Sequence, residues 1–440
     1  MSENNISRNY TAHYHTFGCK LNFAETSAVA DAFAAKGVCQ AECGQTPDII
    51  VVNTCSVTGE SDRKCRSAIR SYHRRYPAAA ILVTGCYAQL KPEEVKSLPG
   101  VAIVAGINDK LALVEKALSY FDEKYTQEAI CDAKDLRAFM PSCSRGDRTR
   151  YFLKVQDGCN YWCTYCTIPK ARGRSRSGTI AEIVEQARGV ASKGGKEIVI
   201  TGVNIGDFGY GRDDCFLDLC RALDEVDGIE RYRISSIEPN LLTDEIIDFV
   251  ASSKRFMPHF HVPLQCGSNE ILRLMRRRYD TELFAHKVNK IREVIPDAFI
   301  GVDLIVGARG ETRELFEESK AFVNGLDISH LHVFPYSERP GTKALEIDYA
   351  VDAAEKNRRA AEMMAVSAEK HAAFARRFLG SVRPVLLEHS HKPGMLSGFT
   401  DNYLRIEVPA SDNADNTIRK LRLDTLLDDG ETISAIPAND

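Results

Sequence analysis

Three cysteines in the spacing CxxxCxxC, Cys159, Cys163 and Cys166, follow directly on a short apolar run at 151–155, and they limit the fold more than any other stretch of the chain. A strand that empties into a thiol-rich loop suits a metal centre. An all-protein iron–sulfur site usually brings four Cys, and a structural zinc site likewise closes with four ligands. Three in one loop therefore leave one metal position for another ligand, which invites a small molecule. A zinc loop whose fourth ligand lies elsewhere in the chain satisfies the same spacing.

The spacing, with Tyr165 before its last cysteine, resembles the signature of the radical S-adenosylmethionine (SAM) enzymes. That resemblance implies that Cys159, Cys163 and Cys166 hold a 4Fe-4S cluster whose remaining iron chelates SAM, with Tyr165 near the adenine. It names a chemistry and leaves the substrate to the rest of the chain.

At 440 residues the chain exceeds one ordinary core, so two or three domains are expected. Hydrophobic residues make up 44% and charged residues 27%, the balance of a globular protein. No apolar run approaches the ~18 residues of a membrane span, and the N-terminus lacks the basic and apolar segments of a signal peptide. A cytoplasmic protein without a membrane partner is expected. Fourteen cysteines fit a reducing compartment, as metal ligands or buried hydrophobes. The net charge of −4 excludes a uniformly basic nucleic-acid coat and leaves local basic clusters at 63–75, 170–176, 273–278 and 376–383.

From 10 to 125, short apolar runs alternate with helix-like stretches, the pattern of a parallel α/β sheet. Three runs end alike, in Gly18-Cys19, Thr54-Cys55 and Gly85-Cys86. The carboxyl ends of neighbouring parallel strands share the edge where ligands bind, so thiols distant in sequence can converge there. Buried structural cysteines fit the spacing equally. The stretches Thr16-Phe17-Gly18-Cys19-Lys20-Leu21-Asn22, Asn53-Thr54-Cys55 and Gly85-Cys86-Tyr87-Ala88-Gln89 resemble the N-terminal domain of the methylthiotransferases. In that family Cys19, Cys55 and Cys86 would hold an auxiliary 4Fe-4S cluster carrying the sulfur to be inserted. Cys39, Cys43, Cys65, Cys131 and Cys143 lack the strand-end placement and are expected to ligate nothing.

Residues 126–148 are polar and read as a linker. Beyond it, strands are predicted at 151–156, 197–203, 231–237, 258–264, 299–306 and 330–336, alternating with helices. Six βα units imply a partial barrel whose chemistry sits at the carboxyl ends of its strands. Gly202 and Asn204, then Ser235 and Glu238, then Gln265 close successive strands and, with Tyr165, are the expected SAM contacts. His259, His261 and Asp303 are further pocket candidates. Two details depart from the family pattern: Gly307-Ala308-Arg309-Gly310-Glu311-Thr312 replaces Gly-Phe-Pro-Gly-Glu-Thr, and Cys266 stands where Ser is more usual.

A helix-prone stretch at 352–379 precedes strand signals at 382–388, 398–408, 417–426 and 432–436, which suggest a small β-barrel. Its position resembles that of the TRAM domain, a tRNA-binding module of the same family. Phe399 and Tyr403 are its chief aromatics, so phosphate or shape contact is expected to outweigh base stacking.

The chain thus reads as α/β: an N-terminal parallel α/β domain (10–125) with the auxiliary cluster, a central partial (β/α)6 radical SAM barrel (145–375), and a small C-terminal TRAM-like β-barrel (376–440). The start at Gly18-Cys19-Lys20-Leu21-Asn22 and the run ending Ile168-Pro169-Lys170-Ala171-Arg172-Gly173-Arg174 resemble the branch that methylthiolates C2 of N6-threonylcarbamoyladenosine next to the tRNA anticodon, at position 37. The resemblance implies two 4Fe-4S clusters, SAM both as methyl donor and as radical source, a tRNA substrate, an electron donor and a sulfur source; a monomer is expected. Arg172, Arg174 and Arg309 are the expected cations for the anionic threonylcarbamoyl group. Alternatives are the branch acting on isopentenyladenosine in tRNA, the branch acting on a ribosomal protein, and a non-catalytic iron–sulfur or zinc protein that binds RNA.

Overall fold

The uncharged, apolar-rich runs Ile49–Thr54 and Ala80–Gly85 are buried at every position, as parallel strands covered on both faces must be. They are the centre of the first of two compact units in the computed structural model, which describes residues 10–123, 127–144 and 149–438. This unit comprises the described residues up to Ser144 together with Phe152–Trp162 and Cys166–Gly178; the second comprises 149–151, Cys163–Tyr165 and the chain from Thr179 onward.

The first unit carries the parallel strands β1 (Thr11–Thr16), β2 (Cys39–Gln40), β3 (Ile49–Thr54), β4 (Ala80–Gly85), β5 (Val101–Ala105) and β6 (Gln127–Ala129), in the order β2-β1-β3-β4-β5-β6. Strand alternation sends Val51, Leu82 and Ile103 into one apolar layer and Val52, Val83 and Val104 into the other. The helix Gly59–Arg75 is fixed at its start by Thr58, whose hydroxyl accepts from the Ser61 N–H, and its end charges oppose the helix dipole.

The 126–148 stretch, expected as a linker, instead supplies the edge strand β6 and the short β7 (Ser142–Cys143). The latter pairs antiparallel with β8 (Arg150–Lys154), in register Ser142↔Lys154. Its backbone pairing and the Ser144 hydroxyl, which accepts from Phe152 N–H at 2.8 Å, need no apolar periodicity, so pattern reading passes over them. β9 (Gln156–Asp157) pairs antiparallel with β10 (Arg176–Ser177) and brackets the cysteine loop at its base.

In the second unit, β11 (Glu197–Thr201) pairs parallel with β12 (Arg231–Ile234), and β13 (His259–Gln265), β14 (Phe299–Val306) and β15 (His330–Pro335) form a parallel trio. Bridges Tyr232↔Phe256 and Ser236↔His261 link the two sets. Together with β8 these strands supply the six βα units of the partial barrel. Helices between them begin at Thr179, Thr243, Asp280 and Thr312, each accepting a first-turn N–H through its side chain.

After the helix Ala353–Arg376 come β16 (Val382–His389), β17 (Met395–Thr400), β18 (Arg405–Pro409), β19 (Ile418–Leu426) and β20 (Thr432–Pro437), a closed barrel in the order β16-β17-β18-β20-β19. The strand predicted at 398–408 is two, broken at Tyr403, whose φ of 67° ends extended pairing. The barrel is fastened to the parallel strands. Arg231 donates to the carbonyls of Pro384 (2.8 Å) and Phe399 (3.1 Å), and Arg233 to those of Thr400 and Asp401, both at 2.7 Å. Phe299 of β14 belongs to the barrel's own apolar core. Phe399 and Tyr403 stack on each other at 4.8 Å, with Arg150 over one ring and Arg233 over the other, so both aromatics are spent on packing.

Candidate cluster sites

The strands β1, β3 and β4 are neighbours, and Cys19, Cys55 and Cys86 follow their carboxyl ends. Gly18 and Gly85 each turn the chain at a φ of 98°, which favours glycine. A Cβ at Gly85 would stand 2.3 Å from the Thr54 carbonyl oxygen, and one at Gly18 2.8 Å from the Cys55 Cβ. The turns therefore press the three cysteine-bearing segments together. Burial, then the neighbouring Cys86 and Cys19, push the Cys55 thiol up to about 11; burial likewise raises Cys86, against the pull of Arg172.

Among the described residues, the group of His, Cys, Asp or Glu ligand atoms gathered within 4.8 Å is His261, Asp303 and His332. The thiols of Cys19, Cys55 and Cys86 are near enough to feel each other's charge. A positively charged iron–sulfur core fits that set, because it would offset the burial and the mutual repulsion that raise the thiols. Cys39 and Cys43 are exposed, and Cys65 is buried with its thiol donating toward the Cys55 carbonyl. Cys131 and Cys143 are partly buried, Cys131 packing against the apolar cluster that holds Cys86 and Cys143 ending β7.

Beside Cys86 lies a buried ionic network that periodicity did not reveal. Glu25 receives Lys110, Lys154 (2.8 Å) and Arg172 (3.0 Å), and Asp157 receives Lys154 (2.8 Å), Arg172 (3.0 Å) and Arg176 (3.1 Å). Burial alone would raise both carboxyls, but the cations hold Glu25 and Asp157 well below the usual carboxylate range. Burial outweighs Glu25 at Lys110 and lowers that ammonium. Arg172 corrects the expectation of a substrate cation. Its side chain is 1% exposed, it donates to Glu25, Asp157 and the Asn22 amide oxygen, and its Nε donates to Cys86 Sγ at 3.3 Å. Its guanidinium is committed to the buried network and to Cys86. Lys154 inside an apolar strand was the available signal, because a charge there needs a buried partner.

In the loop after β9, Cys159 Sγ accepts from the Tyr161 N–H at 3.3 Å and Cys166 Sγ from the Ile168 N–H at 3.4 Å. Cys163 is buried, which raises its thiol, and Arg277 opposes that rise by donating to its Sγ at 3.1 Å. The same guanidinium reaches the Tyr165 hydroxyl at 3.4 Å and is paired with Glu238. Burial raises Glu238 against Arg277, with Asp303 and Asp207 adding to the rise. Arg277 lies in the basic cluster noted at 273–278, but nothing in that run singled it out.

Tyr165 also lines a small hollow with Met275, Ala308, Arg309 and Tyr336. Gly202 follows β11, and the buried Asn204 begins the turn Ile205–Asp207. The Ser235 N–H donates to Ile200 O at 3.2 Å, across from the end of β11. Gln265 ends β13 at a register shift with a φ of 68°, a conformation that re-aims its side chain out of the strand's alternation. Arg174 is exposed, and Arg309 is paired with Glu338 at 2.7 Å at the rim of the Tyr165 hollow. Cys266 is buried beside Ser319 and Glu311, a packing position that its thiol fills as Ser would.

A strand opening into three cysteines and, in the first unit, a sheet edge carrying three more are the donor sets of a radical SAM enzyme with a second cluster. The radical SAM superfamily profile matches residues 153–323, and that of the uncharacterized protein family UPF0004 matches 11–106. The chain is 38% identical over 434 residues to the threonylcarbamoyladenosine tRNA methylthiotransferase MtaB of Bacillus subtilis, covering 94% of this chain and 93% of that protein. It is 35% identical to the protein of that name from Aquifex aeolicus, covering 90% and 95%. Against the tRNA-2-methylthio-N(6)-dimethylallyladenosine synthase of Thermobifida fusca the identity is 34%, covering 79% and 71%. Among solved structures, the radical SAM methyltransferase TsrM of Kitasatospora setae, with cobalamin and a [4Fe-4S] cluster, shares the fold at a TM-score of 0.55 and 14% identity, covering 89% and 81%. The chain belongs to the radical SAM methylthiotransferases, enzymes that use SAM and two 4Fe-4S clusters.

Proposed function

We propose that this chain methylthiolates C2 of N6-threonylcarbamoyladenosine in tRNA, at position 37 beside the anticodon. The observation that carries the reading is the convergence of Cys19, Cys55 and Cys86 at one sheet edge, ahead of the CxxxCxxC loop. The nucleoside is supported by the MtaB relatives, which are similar over nearly the whole chain. A tRNA substrate places the reaction in the cytoplasm. The enzyme acts as a monomer supplied by an external electron donor and sulfur source.

Cys159, Cys163 and Cys166 would hold the cluster that cleaves SAM, and Cys19, Cys55 and Cys86 the one that carries sulfur. When bound, these groups supply a 5′-deoxyadenosyl radical for C–H activation and a methylated sulfur for insertion. The chain's own residues set the conditions. Arg277 steadies Cys163 and holds Glu238 at the strand ends, where Gly202, Asn204, Ser235 and Gln265 are placed to meet SAM. Arg172 keeps Cys86 in place from inside the ionic network. Arg309 and Arg174 remain the cations available to an anionic substituent.

Mass spectrometry of tRNA nucleosides from a deletion strain tests the reading. Loss of the methylthiolated threonylcarbamoyladenosine alone is expected; loss of the isopentenyl methylthio nucleoside instead, or of neither, overturns it. In the reconstituted enzyme, Cys55→Ala should keep 5′-deoxyadenosine formation and stop sulfur insertion, whereas Cys163→Ala should stop both.

A further inference from the structure

We propose that His261, Asp303 and His332 form a mononuclear divalent-metal site on β13–β15, separate from both cysteine sets. The three residues sit on adjacent parallel strands. Asp303 lies directly opposite His332, and opposite Pro263, two residues along from His261. Alternation therefore puts all three on one face, while Val262, Val302 and Leu331 fill the apolar layer on the other. Their ligand atoms all lie within 4.8 Å of one another, with His261 Nε2 and Asp303 Oδ1 at 2.8 Å and the His261 and His332 rings 5.1 Å apart at 28°.

An ion ligated at about 2.1 Å needs adjacent ligand atoms roughly 3–3.5 Å apart, so side-chain rotation alone completes the set. Two imidazoles and a carboxylate suit Fe2+, Co2+, Mn2+ or Zn2+, and three protein ligands on one side leave the remaining positions to water or a chelating oxygen ligand. The site is reachable: the His261 and Asp303 side chains are each 21% exposed, and His332 is exposed.

Cobalt(II) titration of the full-length enzyme with both clusters assembled provides the test. Wild type should bind one equivalent, and His332→Ala and Asp303→Asn should each bind at least ten-fold more weakly at unchanged iron content and far-UV circular dichroism. His332→Cys should add a thiolate-to-cobalt charge-transfer band that wild type lacks. Equal cobalt binding by wild type and both weakening variants, or a His332→Cys spectrum identical to wild type, would overturn the site.

Discussion

Arg172 and Arg277 each hold one cysteine of a different set, and each is paired with buried carboxylates, Arg172 with Glu25 and Asp157 and Arg277 with Glu238. Removing one partner of a buried ion pair costs ~3–5 kcal/mol, and the cations that remain around Glu25 and Asp157 put Arg172 at the lower end. Arg172→Met should lower stability by about that amount, read from urea unfolding, and Arg172→Lys should not restore it because one ammonium cannot serve Glu25, Asp157, Asn22 and Cys86 together. For Arg277→Ala the lost charged hydrogen bonds, roughly 1.5–3 kcal/mol, predict a fall in SAM cleavage of about 10- to 100-fold. Iron bound through Cys19, Cys55 and Cys86, the set proposed to carry sulfur, should stay in that variant. Glu25 and Asp157 are depressed in the folded state, so their stabilisation is present above their unfolded values, near pH 4, and drains away as pH falls below that. Acid unfolding monitored by circular dichroism should therefore be shallower in Asp157→Asn than in wild type.

The turn into each cysteine is where element geometry meets chemistry. Gly85→Ala puts a methyl group against a backbone carbonyl at a φ of 98°, so iron content should fall by about half while the loop cluster still cleaves SAM. The strand-end rule made this edge legible in sequence: apolar runs mark β1, β3 and β4, and the cysteines stand one turn beyond. The six barrel strands were legible for the same reason. Hidden from periodicity were β6 and β7, which are held by backbone pairing, and the break at Tyr403, which is conformational. Hidden too were the partners of Lys154, Arg172 and Arg277, because a charge shows in sequence while the distant carboxylate or thiol it meets does not. Arg172 was misassigned as a substrate cation for that reason.

At the scale of the molecule, the C-terminal barrel is built into the second unit. Phe299 sits in its core, and Arg231 and Arg233 donate to four of its carbonyls. Truncation after Gly380 should therefore destabilise the parallel strands, seen as a lowered melting temperature of the second unit. A truncated chain that melts like wild type would refute that coupling. The first unit has a different dependence. Two of the three cations on Glu25, Lys154 and Arg172, come from segments that follow residue 150, after the chain has already entered the second unit. During synthesis the six-stranded sheet can assemble early, yet Glu25 has Lys110 alone until Lys154 is made and lacks its full set of counter-charges until Arg172 follows. Domains usually fold in order as they emerge from the ribosome. Here the nascent sheet must wait for its counter-charges, so the interval between translating residues 25 and 172 is a window in which chaperones and proteases meet an unfinished domain.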